Sequence, residues 1–331
     1  MPNDGDAVHY NDMIVWDSHT CLPLLPGLDM SPLDRHRAAG ATFVHVNVGM
    51  DYTPLDLIMR MIAGCREWLA RQSNHFLLAS SVADIERAKR EGKLAVAFDL
   101  EGSIMLQDDM AMLRLFRDLG VRQMHLAYNR ANSNSGGCFG EDRGLSEPGR
   151  EMVRRINELG ILMDCSHMGE RSTLDVMTIS EKPVIFSHAN VRALCNHPRN
   201  LTDAQIDACA ATDGVVGICG IGPFLGSNDI TTESLLCHID YIAERVGARH
   251  VGLGLDYVFD QSHSDLPEEE DHDYWYPPTP GFNLKTMRIK PPEDLPDIAA
   301  GLVARGYSRA DVCGIMGANF QRVAAVTWPE I

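Results

Sequence analysis

The sequence predicts an α/β fold, a (β/α)8 TIM barrel with a long loop after strand eight and C-terminal helices. Three observations carry that expectation. Eight short apolar, β-branched runs punctuate the chain. Helical patterns lie between them, which implies parallel strands covered on their faces. The eight units fall between residues 13 and 255, the spacing of a barrel. An open doubly wound sheet is the competing architecture. No Gly-x-Gly-x-x-Gly follows the first run, so its nucleotide-binding form has little support.

In order, the expected strands are 13–17 (MIVWD), 42–48 (TFVHVNV), 94–100 (LAVAFDL) and 121–128 (VRQMHLAY). They continue with 161–165 (ILMDC), 183–187 (PVIFS), 214–219 (GVVGIC) and 251–255 (VGLGL). Helical patterns cover 55–70, 110–119, 149–159, 171–179, 203–211 and 233–246. Two segments break the alternation. Residues 129–143 (NRANSNSGGCFGEDR) follow strand four and are rich in Asn, Gly and Ser. Residues 259–290 follow strand eight and hold six acidic side chains between Asp265 and Asp273. Two readings of this long loop stay open: a solvated excursion, or a lid or subunit contact built on Tyr274, Trp275 and Tyr276. The tail, 308–326, reads as two helices. No linker divides the chain, so residues 1–331 read as one barrel domain.

The net charge of −17 excludes a nucleic-acid binder and an anionic membrane surface as partner. The first twelve residues are polar and acidic, unlike a targeting signal. No apolar run reaches the roughly 18 residues that span a bilayer. The nine cysteines have irregular spacing and no CxxC, and they read as reduced, buried side chains of a cytoplasmic protein. Cys21 is set apart by its position.

In a parallel barrel, chemistry collects at the C-terminal ends of the strands. Strand one ends in Asp17-Ser18-His19-Thr20-Cys21, strand three in Asp99-Leu100-Glu101 and strand four in Tyr128-Asn129. Strand five ends in Asp164-Cys165-Ser166-His167, strand six in Ser187-His188 and strand eight in Leu255-Asp256. Residues remote in sequence therefore converge on one rim. Imidazoles and a carboxylate suit zinc and similar divalent ions. A metal there polarises a carbonyl and acidifies water. Asp256 is placed to carry a proton, and Arg199 to clamp a substrate carboxylate or to form a structural ion pair. His45 and His125 lie inside strands and read as packing residues. His9, His36, His75, His250, His263 and His272 read as surface residues.

At these residues the sequence resembles the membrane (renal) dipeptidase family, the metallopeptidase M19 group of the amidohydrolase superfamily. The resemblance runs from DSHTCLP through FDLEG, VRQMHLAYN, GILMDCSH, KPVIFSHAN, HPRN and HVGLGLD to GIMGANFQRV. It implies a (β/α)8 barrel, a homodimer, two zinc ions at the mouth and hydrolysis of dipeptides. By motif, it implies His19 as the first histidine of a His-x-Asp pair and Glu101 as the bridging carboxylate. His167 and His188 then hold the second metal, Tyr128 and Arg199 contact substrate, and Asp256 shuttles the proton. The departure is Cys21, where the family has aspartate. Cys21 is either a sulfur ligand to the first metal or a buried non-ligand, and the count is one zinc or two. The expected function is zinc-dependent hydrolysis of dipeptides, small-molecule substrates, by a protein with no nucleic-acid or membrane partner. The alternatives are a related amidohydrolase acting on another amide, lactone or ester, and an inactive metal-binding homologue.

Overall fold

The structure, a computed structural model, describes residues 9–279 and 286–328. Residues 280–285 of the long loop and 1–8 of the acidic amino-terminal stretch lie outside the described residues.

The strands are β1 (Trp16–Cys21), β2 (Phe43–Met50), β3 (Phe76–Leu78), β4 (Leu94–Glu101) and β5 (Val121–His125). They continue with β6 (Leu162–Asp164), β7 (Val184–Ala189), β8 (Val215–Ile218), β9 (Val251–Leu253) and β10 (Tyr257–Val258). All pair in parallel, in the order β10-β1-β2-β4-β5-β6-β7-β8-β9. β9 falls within the expected eighth strand, 251–255; β10 continues the same segment beyond it and was not expected. β9 pairs with β8 and β10 with β1, so the sheet closes on itself. Hydrogen bonds along the seam run from Asp256 N to His19 O (3.1 Å) and from Phe259 N to Cys21 O (3.1 Å).

All eight expected strands are present. β3 was not expected; it pairs with the first residues of β4, ahead of the point where β5 joins. The fourth strand is shorter than expected and ends at His125, so Tyr128 and Asn129 belong to the turn beyond it. Wholly buried strands fit a sheet packed on both faces, which is why they read as continuous apolar runs. Helix starts follow sequence signals. Ser81 and Thr202 form capping boxes, and Ser146, Thr231 and Ser308 accept N-cap hydrogen bonds.

At the N-terminal end of the barrel, Trp16, Phe43, Phe320 and Trp328 close the floor, with Trp16 and Phe43 ring centroids 4.0 Å apart. The tail is helical as expected, Arg309–Cys313 leading through a wide turn to Asn319–Thr327. Gly317 lets that turn lie against β1: a Cβ there would stand 2.5 Å from the Ile14 carbonyl oxygen.

The opposite end is polar. Strand registers shift between Asp17 and Thr20 in β1, between Asn47 and Met50 in β2, and between Phe186 and Ala189 in β7. Such irregularities re-aim side chains at a barrel rim. Those in β1 and β7 bracket His19 and His188. His36 is a correction: it is fully buried, with Nε2 3.0 Å from Asp17 Oδ2, because Asp17 faces inward and needs a partner.

The long loop is neither free nor fully solvated in its described part. Its helix His272–Trp275 buries Trp275 beside Tyr52, and the Asn129 amide donates to Trp275 O (2.9 Å). Asp265 accepts from Leu24 N (2.7 Å) and Glu270 from Trp275 Nε1 (2.8 Å), so two of its six acids face inward partners.

Candidate metal centre and active site

Three site residues adopt left-handed backbone without being glycine: Asn129 (φ 59°), His167 (φ 65°) and Asp256 (φ 56°). That conformation costs a non-glycine residue about 1–3 kcal/mol and clusters at functional sites. At Asp256 it interrupts the eighth strand and brings the carboxylate to the rim. At His167 it follows a turn tied down by Asp164, whose Oδ1 accepts from Ser166 N, Ser166 Oγ and Ser187 N, each at 2.9 Å.

The three rim histidines share one polarity. His19 Nδ1 lies 3.2 Å from Asp99 Oδ2, an acceptor only, so Nδ1 carries the hydrogen. Asn129 spends its Nδ2 on Trp275 O, so its Oδ1, 2.8 Å from His167 Nδ1, accepts from that ring. Ser187 gives its hydroxyl hydrogen to Asp164, so its oxygen, 2.7 Å from His188 Nδ1, accepts as well. Each ring therefore turns its Nε2 toward the barrel axis. A metal-ligating histidine is oriented in this way by the bond its other nitrogen donates.

Those Nε2 atoms surround one oxygen. Glu101 Oε1 is 3.2 Å from His167 Nε2, 3.5 Å from His188 Nε2 and 3.6 Å from His19 Nε2. His167 and His188 Nε2 are 2.8 Å apart. Glu101 Oε1 is buried and receives no hydrogen bond. Lone pairs gathered this closely in a dry site repel unless a cation lies among them. The donor set thus fits a divalent metal. His19, Glu101 and His188 form one compact group, and His19, Cys21 and Asp256 a second.

Electrostatics divide the rings. Burial, then the Arg199 charge, holds His167 well below the usual histidine range. Burial, then His19 and Arg199, does the same for His188. Burial also opposes charge on His19, but Asp99, Glu101 and Cys21 outweigh it and raise the ring well above that range. Burial lifts Glu101 and Asp256 above ordinary carboxyl values, against the opposing pull of His19 and Arg199.

Asp256 Oδ1 sits 3.5 Å from His19 Nε2. The Cys219 thiol, 3.7 Å away, donates to its Oδ2. From sequence Cys219 reads as one of the buried cysteines, and nothing in its spacing marks it as Asp256's partner. Arg199 is buried, its Nη2 donates to His188 O (3.2 Å), and its Nε has no partner. Among the described residues no carboxylate pairs with it, so the structural ion pair considered from sequence is not seen there.

Cys21, Glu101, Tyr128, His167, Arg199 and Asp256 line an open cavity of about 370 Å³. Met50, Phe139, Ile221 and Phe224 give it apolar walls. Tyr276 closes one side, its hydroxyl 2.7 Å from that of Tyr52 and 3.1 Å from that of Tyr128. Tyr128 also stacks on His167, centroids 4.3 Å apart. The structure therefore gathers His19, Cys21, Glu101, Tyr128, His167, His188, Arg199 and Asp256 at one mouth. It adds Tyr52, which the sequence does not place there, and it brings in Tyr276 as in the lid reading of the long loop. His125 packs below, against Asp164 and His167, as a strand-interior residue should.

The family model for membrane dipeptidase, peptidase family M19, matches residues 35–271. The chain belongs to the membrane dipeptidase family. The matched segment takes in Glu101, His167, His188, Arg199 and Asp256, while His19 and Cys21 precede it. Among curated relatives, dipeptidase tcpJ of Claviceps purpurea is 31% identical over 285 residues, 84% of this chain and 60% of that protein. The chain thus spans about 60% of that relative's length. An amidohydrolase from Pseudomonas aeruginosa superposes with a TM-score of 0.85 at 26% identity, over 97% of this chain and 98% of that one. A metallo peptidase from Rhodobacter sphaeroides, liganded with a phosphinate mimic of the dipeptide L-Ala-D-Ala, shares the fold. Its TM-score is 0.76 at 23% identity, over 96% of this chain and 100% of that one. Membership in this metallopeptidase family agrees with the barrel and with the donor set at its mouth. Among the described residues no helix is long and apolar enough to cross a membrane.

Proposed function

We propose that this chain is a zinc-dependent dipeptidase, with Glu101, His167, His188 and His19 as metal ligands. The observation that carries the reading is the convergence of three Nε2 atoms on the orphaned Oε1 of Glu101. A bound divalent cation would supply Lewis acidity, polarising the peptide carbonyl and making water more acidic. The chain's own groups do the rest. Arg199, which lines the cavity with its Nε unpaired, binds the C-terminal carboxylate of the substrate. Asp256, raised in pKa by burial, takes a proton at its carboxylate and returns it to the departing amine. Tyr128 and Tyr276 cover the reacting bond and exclude bulk water. Nine free cysteines support a reducing, cytoplasmic setting.

The test is a panel of L,L- and L,D-dipeptides, N-acyl amino acids and lactones, given to protein reconstituted with zinc. Turnover of dipeptides that a chelator abolishes and zinc restores supports the proposal. Turnover confined to lactones or N-acyl amino acids overturns the dipeptide assignment.

A further inference from the structure

We infer that the two cation positions at this rim are chemically unequal, and that the one beside His19 is a thiolate position with Cys21 Sγ as ligand. The inference rests on the metal-dependent reading above and deepens it.

His19 and Cys21 stand two residues apart on β1, so their side chains leave the same face of the strand. The backbone of Cys21 is fixed by pairing with Val258 and by the hydrogen bond from Phe259 N. Its sulfur lies 3.4 Å from His19 Nε2 and 4.0 Å from Asp256 Oδ1. Tetrahedral bonds of about 2.3 Å to sulfur and about 2.0–2.1 Å to nitrogen put those donors about 3.5 Å apart. The His19–Cys21 separation matches that figure. The Nε2 of His19 faces the sulfur, and the orphaned Oε1 of Glu101 is 3.6 Å from the same nitrogen. A cysteine serving only as core filler would be surrounded by apolar atoms. Cys21 has Met50, Tyr52 and Trp275 on one side, but a nitrogen and a carboxylate on the other.

The position around His167 and His188 is different, with imidazole nitrogen and carboxylate oxygen at its centre. A soft thiolate selects zinc or cadmium, whereas an N/O set also accepts manganese. Loading the Cys21 position releases the thiol proton to solvent as the sulfur–metal bond forms.

The test titrates the metal-free full-length chain with cobalt(II), read by absorbance. The expected result is a near-ultraviolet thiolate-to-cobalt charge-transfer band in the wild type. The band is lost in Cys21→Asp and Cys21→Ser and kept in Cys219→Ala. In Cys21→Asp the number of bound equivalents stays the same, and competition shifts from cadmium toward manganese. Cobalt binding without the band, or a band that survives both Cys21 substitutions, overturns the thiolate position while leaving metal dependence intact. No cobalt binding at all overturns both. A Cys21-dependent band in a protein that leaves dipeptides intact upholds the thiolate position and removes only the dipeptidase assignment.

Discussion

The His167–His188 half of the rim and the His19–Cys21 half are built alike and charged differently. In both, a ring donates Nδ1–H to a fixed acceptor and turns Nε2 toward Glu101. The acceptors differ: a neutral amide and a hydroxyl on one side, the carboxylate of Asp99 on the other. Arg199 stands against the first half, and Asp256, Asp99 and Cys21 against the second. The same orienting device thus serves rings in oppositely charged surroundings. The difference teaches that the polarity of a histidine is set by one hydrogen bond, and its charge by the groups further out.

The largest effect expected is at the residue both halves share. Glu101→Gln should remove bound metal from both positions and reduce hydrolysis to background, seen by metal analysis beside a dipeptide assay. Loss from one half alone would mean that Glu101 is no bridge. Next, Asp256→Asn should lower kcat about 10²–10⁴-fold at unchanged metal content. A fall in bound metal would instead make Asp256 a ligand of the His19 half. Arg199→Met should reduce kcat/KM for dipeptides about 10–100-fold, the loss of a charge-assisted bond of about 1.5–3 kcal/mol. C-terminally amidated dipeptides should be hardly affected, and an equal loss with both substrates would refute the carboxylate clamp. Asp99→Asn should weaken metal at the His19 position about 10–100-fold and spare the other. Asn129→Ala should do the reverse. Cross-effects in competition titrations would erase the distinction between the halves. Smallest is Tyr276→Phe, which removes a hydroxyl shared with Tyr52 and Tyr128 and should raise KM a few-fold, about 1 kcal/mol.

Much of this was readable from the residues. Strands such as 94–100 (LAVAFDL) announce themselves because a parallel strand buried on both faces must be apolar throughout. The convergence of the rim side chains was legible because topology sends every strand end to one edge. β3 was not, since three residues following a helix leave no periodicity to detect. β10 was not legible either, since two residues beyond a left-handed Asp256 leave no periodicity to detect. His36 was misread because its partner, Asp17, is adjacent only in space. The orienting roles of Asp99, Asn129, Ser187 and Cys219, and the arrival of Tyr276, depend on side-chain directions and on a loop path that spacing does not encode. The acidic loop shows the middle case: its composition suggested solvent, its aromatics a lid, and its described part contains both.

The most direct measurement is a crystal structure of the zinc-reconstituted chain with anomalous data collected at the zinc edge. The account predicts one peak about 2.0–2.2 Å from His167 Nε2, His188 Nε2 and Glu101, and a second against His19 Nε2. A map with no peak among these atoms, from protein that leaves dipeptides intact, would contradict it.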